Sequence, residues 1–156
     1  MGANFTRVYA ETANLKGGAL GVDTPHFYDN AVVSIRFESG SLGTISGICP
    51  AGYGYDARVE VFGEKGILQI GELQGQALVV CTDRERGLVT PIFRTWPERF
   101  AQAYILELEH FIHSIHSGVT PQVSGEDGRW AVAGVLAATR SFLEERPVLL
   151  EEVLHG

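Results

Sequence analysis

Between Asp29 and Gly71 the apolar and polar positions alternate in a way that predicts a sheet: DNAVVSIRFESGSLGTISGICPAGYGYDARVEVFGEKGILQIG. In the first run Ala31, Val33, Ile35 and Phe37 fall on one side, with Ser34 and Arg36 on the other. A period of two marks a strand with one covered face. Glu38-Ser39-Gly40-Ser41 is a short loop whose glycine can take a positive φ, which predicts a hairpin closing onto a strand at Leu42–Ile48. Glu64-Lys65-Gly66 predicts a second hairpin, between Arg58–Phe62 and Ile67–Ile70. One aromatic insertion, Gly52-Tyr53-Gly54-Tyr55-Asp56, interrupts the run.

The flanking segments extend this sheet or cover it. Phe5–Leu15 has strand composition, with Val8, Ala10 and Thr12 alternating against Arg7, Tyr9 and Glu11. Lys16–Tyr28 is a glycine-rich loop, long enough to be functional or mobile. Gln76–Thr82 and Leu88–Arg94 predict a further hairpin around the charged turn at 83–87, giving seven strands before the first helix. That helix is predicted to start at Thr95-Trp96-Pro97-Glu98, where Thr95 and Glu98 have capping-box spacing and Pro97 suits a first turn. Phe100, Tyr104, Leu108, Phe111, Ile112 and Ile115 then form an apolar stripe, ended by Gly118 and Pro121. Ser124 and Asp127 announce a second helix reaching about Glu145, whose Ala131, Gly134, Ala138 and Ser141 would let it lie close to a sheet. Pro147 stops it, and Val148-Leu149-Leu150 can add an edge strand.

Strands followed by helices predict an α+β fold over residues 1–156 as a single domain, with an open, mostly antiparallel sheet and two main helices packed on one face. Val32, Ile45 and Phe62 are expected on the opposite face, which nothing else in the chain would cover, so self-association through it is expected.

Composition narrows the partners. At 156 residues with 45% hydrophobic content the chain can bury a core, and a net charge of -7 argues against a nucleic-acid backbone as partner. No apolar run approaches membrane-spanning length, and Met1–Thr6 lacks the features of a signal peptide. The two cysteines, Cys49 and Cys81, lie in or beside apolar strand runs and read as buried thiols of a reducing cytoplasm.

Three constellations are candidates for chemistry. Tyr53-Gly54-Tyr55-Asp56, with Arg58 two positions on, offers stacking surfaces and donor-acceptor groups suited to a polyol or sugar. The same residues also fit a tyrosine-capped strand entry in which Asp56 makes a turn hydrogen bond. His110, His113 and His116 recur every three residues and Glu109 precedes His113 by four, but the imidazoles fan around the helix away from its apolar stripe, as a solvated face does. Gly17-Gly18-Ala19-Leu20-Gly21 is followed by Asp23-Thr24-Pro25 and a strand rather than by a helix N-terminus, so it is no phosphate cradle.

Three blocks, DNAVVSIRFESGSLGTI, YGYDARVEVFGEKGILQIG and WPERFAQAYILELEHFIHSIHSGVTPQVSGEDGRWAV, resemble the C-terminal domain of the Gfo/Idh/MocA oxidoreductases, and among them the inositol dehydrogenases. The resemblance covers almost the whole chain. It implies an open antiparallel sheet with helices on one side, a sheet face used for oligomerisation, and pocket-lining roles for Tyr53, Tyr55 and Tyr104 toward a small polyol or sugar. In that family a Rossmann domain binds NAD or NADP and carries a Glu-Lys-Pro motif, and the catalytic Asp-x-x-x-His pair precedes the strand that opens this chain. No catalytic, cofactor-binding or metal residue is therefore expected among these 156 residues, and the cofactor would belong to a Rossmann domain, whether separate or absent. Glu64-Lys65-Gly66 is a hairpin turn, and Glu109 with His113 lies on a different helix from the family's pair. The resulting expectation is the substrate-binding and oligomerisation domain of an NAD(P)-dependent oxidoreductase, itself inactive in isolation. The alternative is a stand-alone, non-catalytic polyol-binding or scaffold module.

Overall fold

A computed structural model describes residues 4–17, 27–52, 54–71, 80–81, 88–89 and 93–154. Among them the chain forms β1 (Phe5–Ala13), β2 (Asn30–Phe37), β3 (Leu42–Ile48), β4 (Val59–Gly63), β5 (Gly66–Ile70), β6 (Val80–Cys81), β7 (Leu88–Val89), α1 (Trp96–Ser117), α2 (Gly125–Glu144), β8 (Val148–Leu149) and α3 (Glu151–Leu154). Every strand pair is antiparallel. With two long helices following the strands, the fold is α+β. The described residues divide into two compact units, one formed by 1–50 with 120–156 and the other by 51–119.

The first unit holds a four-stranded sheet in the order β3-β2-β1-β8. Both turn glycines behave as their sequences predict. Gly40 takes φ 85° in the β2–β3 hairpin, where the Phe37 amide donates to Ser41 O, and the Val148-Leu149 run is indeed an edge strand. In the second unit Gly63 pairs with Gly66, so Glu64-Lys65 is the two-residue loop of the β4–β5 hairpin.

α2 packs on β1 because the residues between them are small. Ala133, Ala137 and Ser141 are buried at intervals of four, and Gly134 lies so close to the Phe5 ring that an added Cβ would stand 2.9 Å from it. The buried core is Val8, Ala133, Ala137, Val148 and Leu150, with Phe5, Val33 and Trp130 against it. Ala131, expected in this seam, is exposed instead. β8 pairs with β1 only at Arg7 and Val8, so farther along β1 the ladder is replaced by a side chain. The Ala10 amide donates to Ser141 Oγ at 3.1 Å, and that hydroxyl donates to Arg146 O at 2.6 Å.

The strand register corrects the expected outer face. Val33 lies opposite Ile45, and Val32 opposite Ser46. Directly paired residues share a face, so Ile45 points to the helix side with Val33. There it lines an apolar cavity of about 500 Å³ with Ile35, Val135 and Phe142. The outer face carries Val32, Leu42 and Ile48 among Arg7, Tyr9, Glu11 and Arg36. Phe62 belongs to the separate β4–β5 hairpin of the second unit. Val32, Ile45 and Phe62 therefore do not make one surface.

Two other expectations are modified. Cys49 is an exposed free thiol, because it lies just past the end of β3 on the turn with Pro50 rather than inside a covered strand. Thr95 is the N-cap of α1, but its side chain makes no capping bond. Glu98 accepts the Arg94 amide at 2.9 Å instead of returning to the cap residue. At α2 the capping box between Ser124 and Asp127 is complete. The Lys16–Tyr28 loop beyond Gly17 and before Phe27, and the 83–87 turn, lie outside the described residues. Among the described residues no helix is long and apolar enough to cross a membrane.

Candidate functional site

The second unit brings two of the three expected tyrosines to one aromatic surface. Trp96, Phe100 and Tyr104 recur every four residues along α1, which stacks them on one side of the helix. The Trp96 and Tyr104 rings meet edge-on at 5.6 Å. Tyr55 joins from the segment before β4, its ring perpendicular to Phe100 at 5.8 Å. Its amide donates to Phe93 O at 2.8 Å. Tyr55 remains 37% exposed and Tyr104 49% exposed. Among the described residues neither phenol oxygen has a hydrogen-bond partner. Tyr53 lies outside the described residues.

Asp56 follows Tyr55 in the segment before β4. Its carboxylate takes both Nε and Nη2 of Arg58, at 2.8 and 2.7 Å, in a two-pronged ion pair. Next to it, Arg99 Nη2 donates to Ala57 O at 2.7 Å while its guanidinium lies 5.2 Å from the Phe93 ring centre and 5.9 Å from that of Phe100. Sequence reading missed Arg99; it placed Phe100 and Tyr104 on the apolar stripe of the helix, with Tyr104 also expected, from the family resemblance, to line a pocket. The four-residue spacing of Trp96, Phe100 and Tyr104 was the available signal for an aromatic face.

The histidines of α1 do not converge. His113 Nε2 and Ser117 Oγ stand 3.4 Å apart, one turn along the same helix. Among the described residues no three histidine, cysteine or acidic side chains are grouped to hold a metal ion.

The most buried titratable side chain among the described residues of the first unit was also not foreseen. Asp29 is 2% exposed and accepts the amides of Leu15 and Lys16 at the end of β1. Burial by itself would raise its carboxyl. The two amide donors, with help from Asn30 and the Lys16 charge, outweigh burial and hold it below the usual aspartate range. Lys16 Nζ in turn donates to Pro50 O at 2.7 Å, so one carboxylate and one ammonium tie the ends of β1, β2 and β3 together.

Residues 1–150 match the family described as "Oxidoreductase family, C-terminal alpha/beta domain". The myo-inositol 2-dehydrogenase of Thermotoga maritima is 39% identical over 154 residues, which is 99% of this chain and 45% of that protein. The scyllo-inositol 2-dehydrogenase (NAD(+)) of Bacillus subtilis is 36% identical over 124 residues, covering 79% of this chain and 35% of its own length. The crystal structure of a Lactobacillus casei myo-inositol dehydrogenase in complex with NAD(H) and myo-inositol superimposes with a TM-score of 0.78 at 25% identity, over 94% of this chain and 42% of that one. The chain thus spans less than half the length of the curated relatives it matches. On the matched length, the identity and the shared fold, it belongs to the Gfo/Idh/MocA oxidoreductase family, as that family's C-terminal alpha/beta domain.

Proposed function

We propose that this chain is the substrate-binding and subunit-joining domain of an NAD(P)-dependent oxidoreductase that acts on a polyol or sugar, with an inositol as the ligand class. The observation that carries this reading is the pair of exposed phenols, Tyr55 and Tyr104, on one aromatic surface, with no hydrogen-bond partner for either oxygen among the described residues. A polyol presents C–H faces that pack on aromatic rings and hydroxyls that both donate and accept, as a phenol does. The relatives named as inositol dehydrogenases, one of them crystallised with NAD(H) and myo-inositol, support the ligand class. Tyr53, two residues before Tyr55 in sequence, is proposed as a third pocket-lining residue.

The residues described here do not fit a dinucleotide. The N-terminus of α2 is closed by its own Ser124 and Asp127, and Glu98 stands in the first turn of α1. Each of these helix ends carries a carboxylate where a pyrophosphate would need open amides. NAD or NADP would be bound by the family's Rossmann domain, and the part played by this chain is to hold and orient the polyol. Self-association is proposed through the outer sheet face that carries Val32, Leu42 and Ile48.

Calorimetric titration of the chain with myo-inositol tests the reading. Tyr55→Phe and Tyr104→Phe should each weaken binding about tenfold, the loss of one hydrogen bond to a ligand hydroxyl, with the unfolding midpoint unchanged. A lowered midpoint with binding intact would make the phenols structural and reject the proposal.

A further inference from the structure

The segment that carries Tyr55 has no ladder to hold it. Residues 54–58 are outside any strand, and Gly54, at φ 144°, adds freedom on the N-terminal side of Tyr55. Two of its backbone groups are bonded to other parts of the same unit. The Tyr55 amide donates to Phe93 O, and Ala57 O accepts from Arg99. Phe93 and Phe100, the residues that receive Tyr55, also flank the Arg99 guanidinium. On the far side Gly71, at φ 83°, comes so close that an added Cβ would stand 2.5 Å from Ala57 O and 2.8 Å from Arg99 Nη2. One cation thus grips the carbonyl two residues beyond the phenol and lies against the Phe100 ring that Tyr55 meets and the Phe93 ring whose backbone holds the Tyr55 amide. A planar, forked group can donate and stack at once, whereas an ammonium cannot.

We propose that Arg99 is a positioning residue that sets the direction of the Tyr55 hydroxyl toward a substrate hydroxyl, without touching the substrate itself. This rests on the reading of Tyr55 as a substrate contact. It assigns specificity to a side chain that fixes the angle of approach. Because Arg99 lies in the first turn of α1 and Tyr104 lies about one and a half turns later on the same helix, the arginine also ties the two phenols to one rigid element.

The test is an NMR titration of the full chain with myo-inositol. It compares the unaltered protein with Arg99→Leu, Arg99→Lys, Tyr55→Phe and the Arg99→Leu/Tyr55→Phe double variant, and records amide exchange at Tyr55 and the global unfolding midpoint alongside. Arg99→Leu should weaken myo-inositol about tenfold and speed Tyr55 amide exchange, and Arg99→Lys should restore neither. Adding Arg99→Leu to Tyr55→Phe should change affinity by no more than about twofold, because the arginine acts only through that phenol. A double variant in which the two losses multiply, or full recovery with lysine, would overturn the inference and leave the reading of Tyr55 standing. If the unaltered chain does not bind myo-inositol, the reading of Tyr55 fails, and the inference is then decided by exchange alone. Faster Tyr55 exchange with an unmoved midpoint in Arg99→Leu upholds the positioning role, and unchanged exchange rejects it.

Discussion

Ser141 Oγ takes the Ala10 amide and gives its proton to Arg146 O, so one buried hydroxyl satisfies two backbone groups from different elements. Ser141→Ala keeps the volume of the seam but leaves both groups unpaired, which should cost roughly 1–3 kcal/mol in chemical denaturation. A loss below about 0.5 kcal/mol would mean that water replaces the hydroxyl. At the end of the same helix Arg140 and Arg146 converge on Glu144 and Glu152. The Arg146 hydrogen bond, the Leu149 amide and the nearby guanidinium charges, against a smaller opposing effect of burial, bring the Glu152 carboxyl from the usual 4.5 down to about 2. A depressed carboxyl stabilises the fold above its unfolded pKa, and that contribution fades as pH falls through the folded value. Glu152→Gln should therefore lower the unfolding midpoint at neutral pH. The gap from the unaltered chain should close between about pH 4.5 and pH 2, and a gap that persists at pH 2 would contradict the assignment. None of these roles was legible in the sequence. Ser141 was read as small, which it is, but its partner lies 131 positions away, and neither Asp29 nor Arg99 carries any local sign of the amides and carbonyl it reaches.

The helix caps separate spacing from geometry. Thr95-x-x-Glu98 and Ser124-x-x-Asp127 have the same pattern, yet only the second forms the reciprocal pair of bonds, while Glu98 accepts the amide one residue before its cap. Ser124→Ala should cost about 1 kcal/mol and Thr95→Ala only a few tenths, measured by urea denaturation. Equal losses would show that the Thr95 hydroxyl caps α1 in solution. The strands were legible because period-two alternation reports which residues of one strand share a face, and β3 keeps its predicted limits of Leu42–Ile48. The relation between strands was not. It depends on register, which the β2–β3 loop sets by pairing Arg36 with Leu42, and that choice turned Ile45 to the helix side. In the candidate site, the sequence singled out Tyr55 and Tyr104, which lie on one aromatic surface, but gave no sign of Arg99, which lies against Phe93 and Phe100 and bonds Ala57 O.

At the scale of the whole molecule, the proposed self-association distinguishes the two faces of the sheet. Val32 is 55% exposed on the outer face, so Val32→Glu should convert an oligomer seen by light scattering at micromolar concentration to monomer, with a change in fold stability within about 0.5 kcal/mol. Ile45→Glu, on the helix side, should leave the assembly intact. Dissociation by Ile45→Glu alone would place the interface elsewhere. The two units also differ in how the chain composes them, because 51–119 is one continuous stretch while the other unit is closed from both ends. Its core joins Val8, near the start, to Val148 and Leu150, and β8 completes the sheet by pairing with β1. During synthesis the ribosome therefore releases a finished 51–119 segment while β1 still waits for a partner strand that has not yet been translated. β1 can be fully paired only once residues 148–149 have emerged, so this unit cannot complete its sheet until the whole 51–119 segment has been synthesised ahead of them.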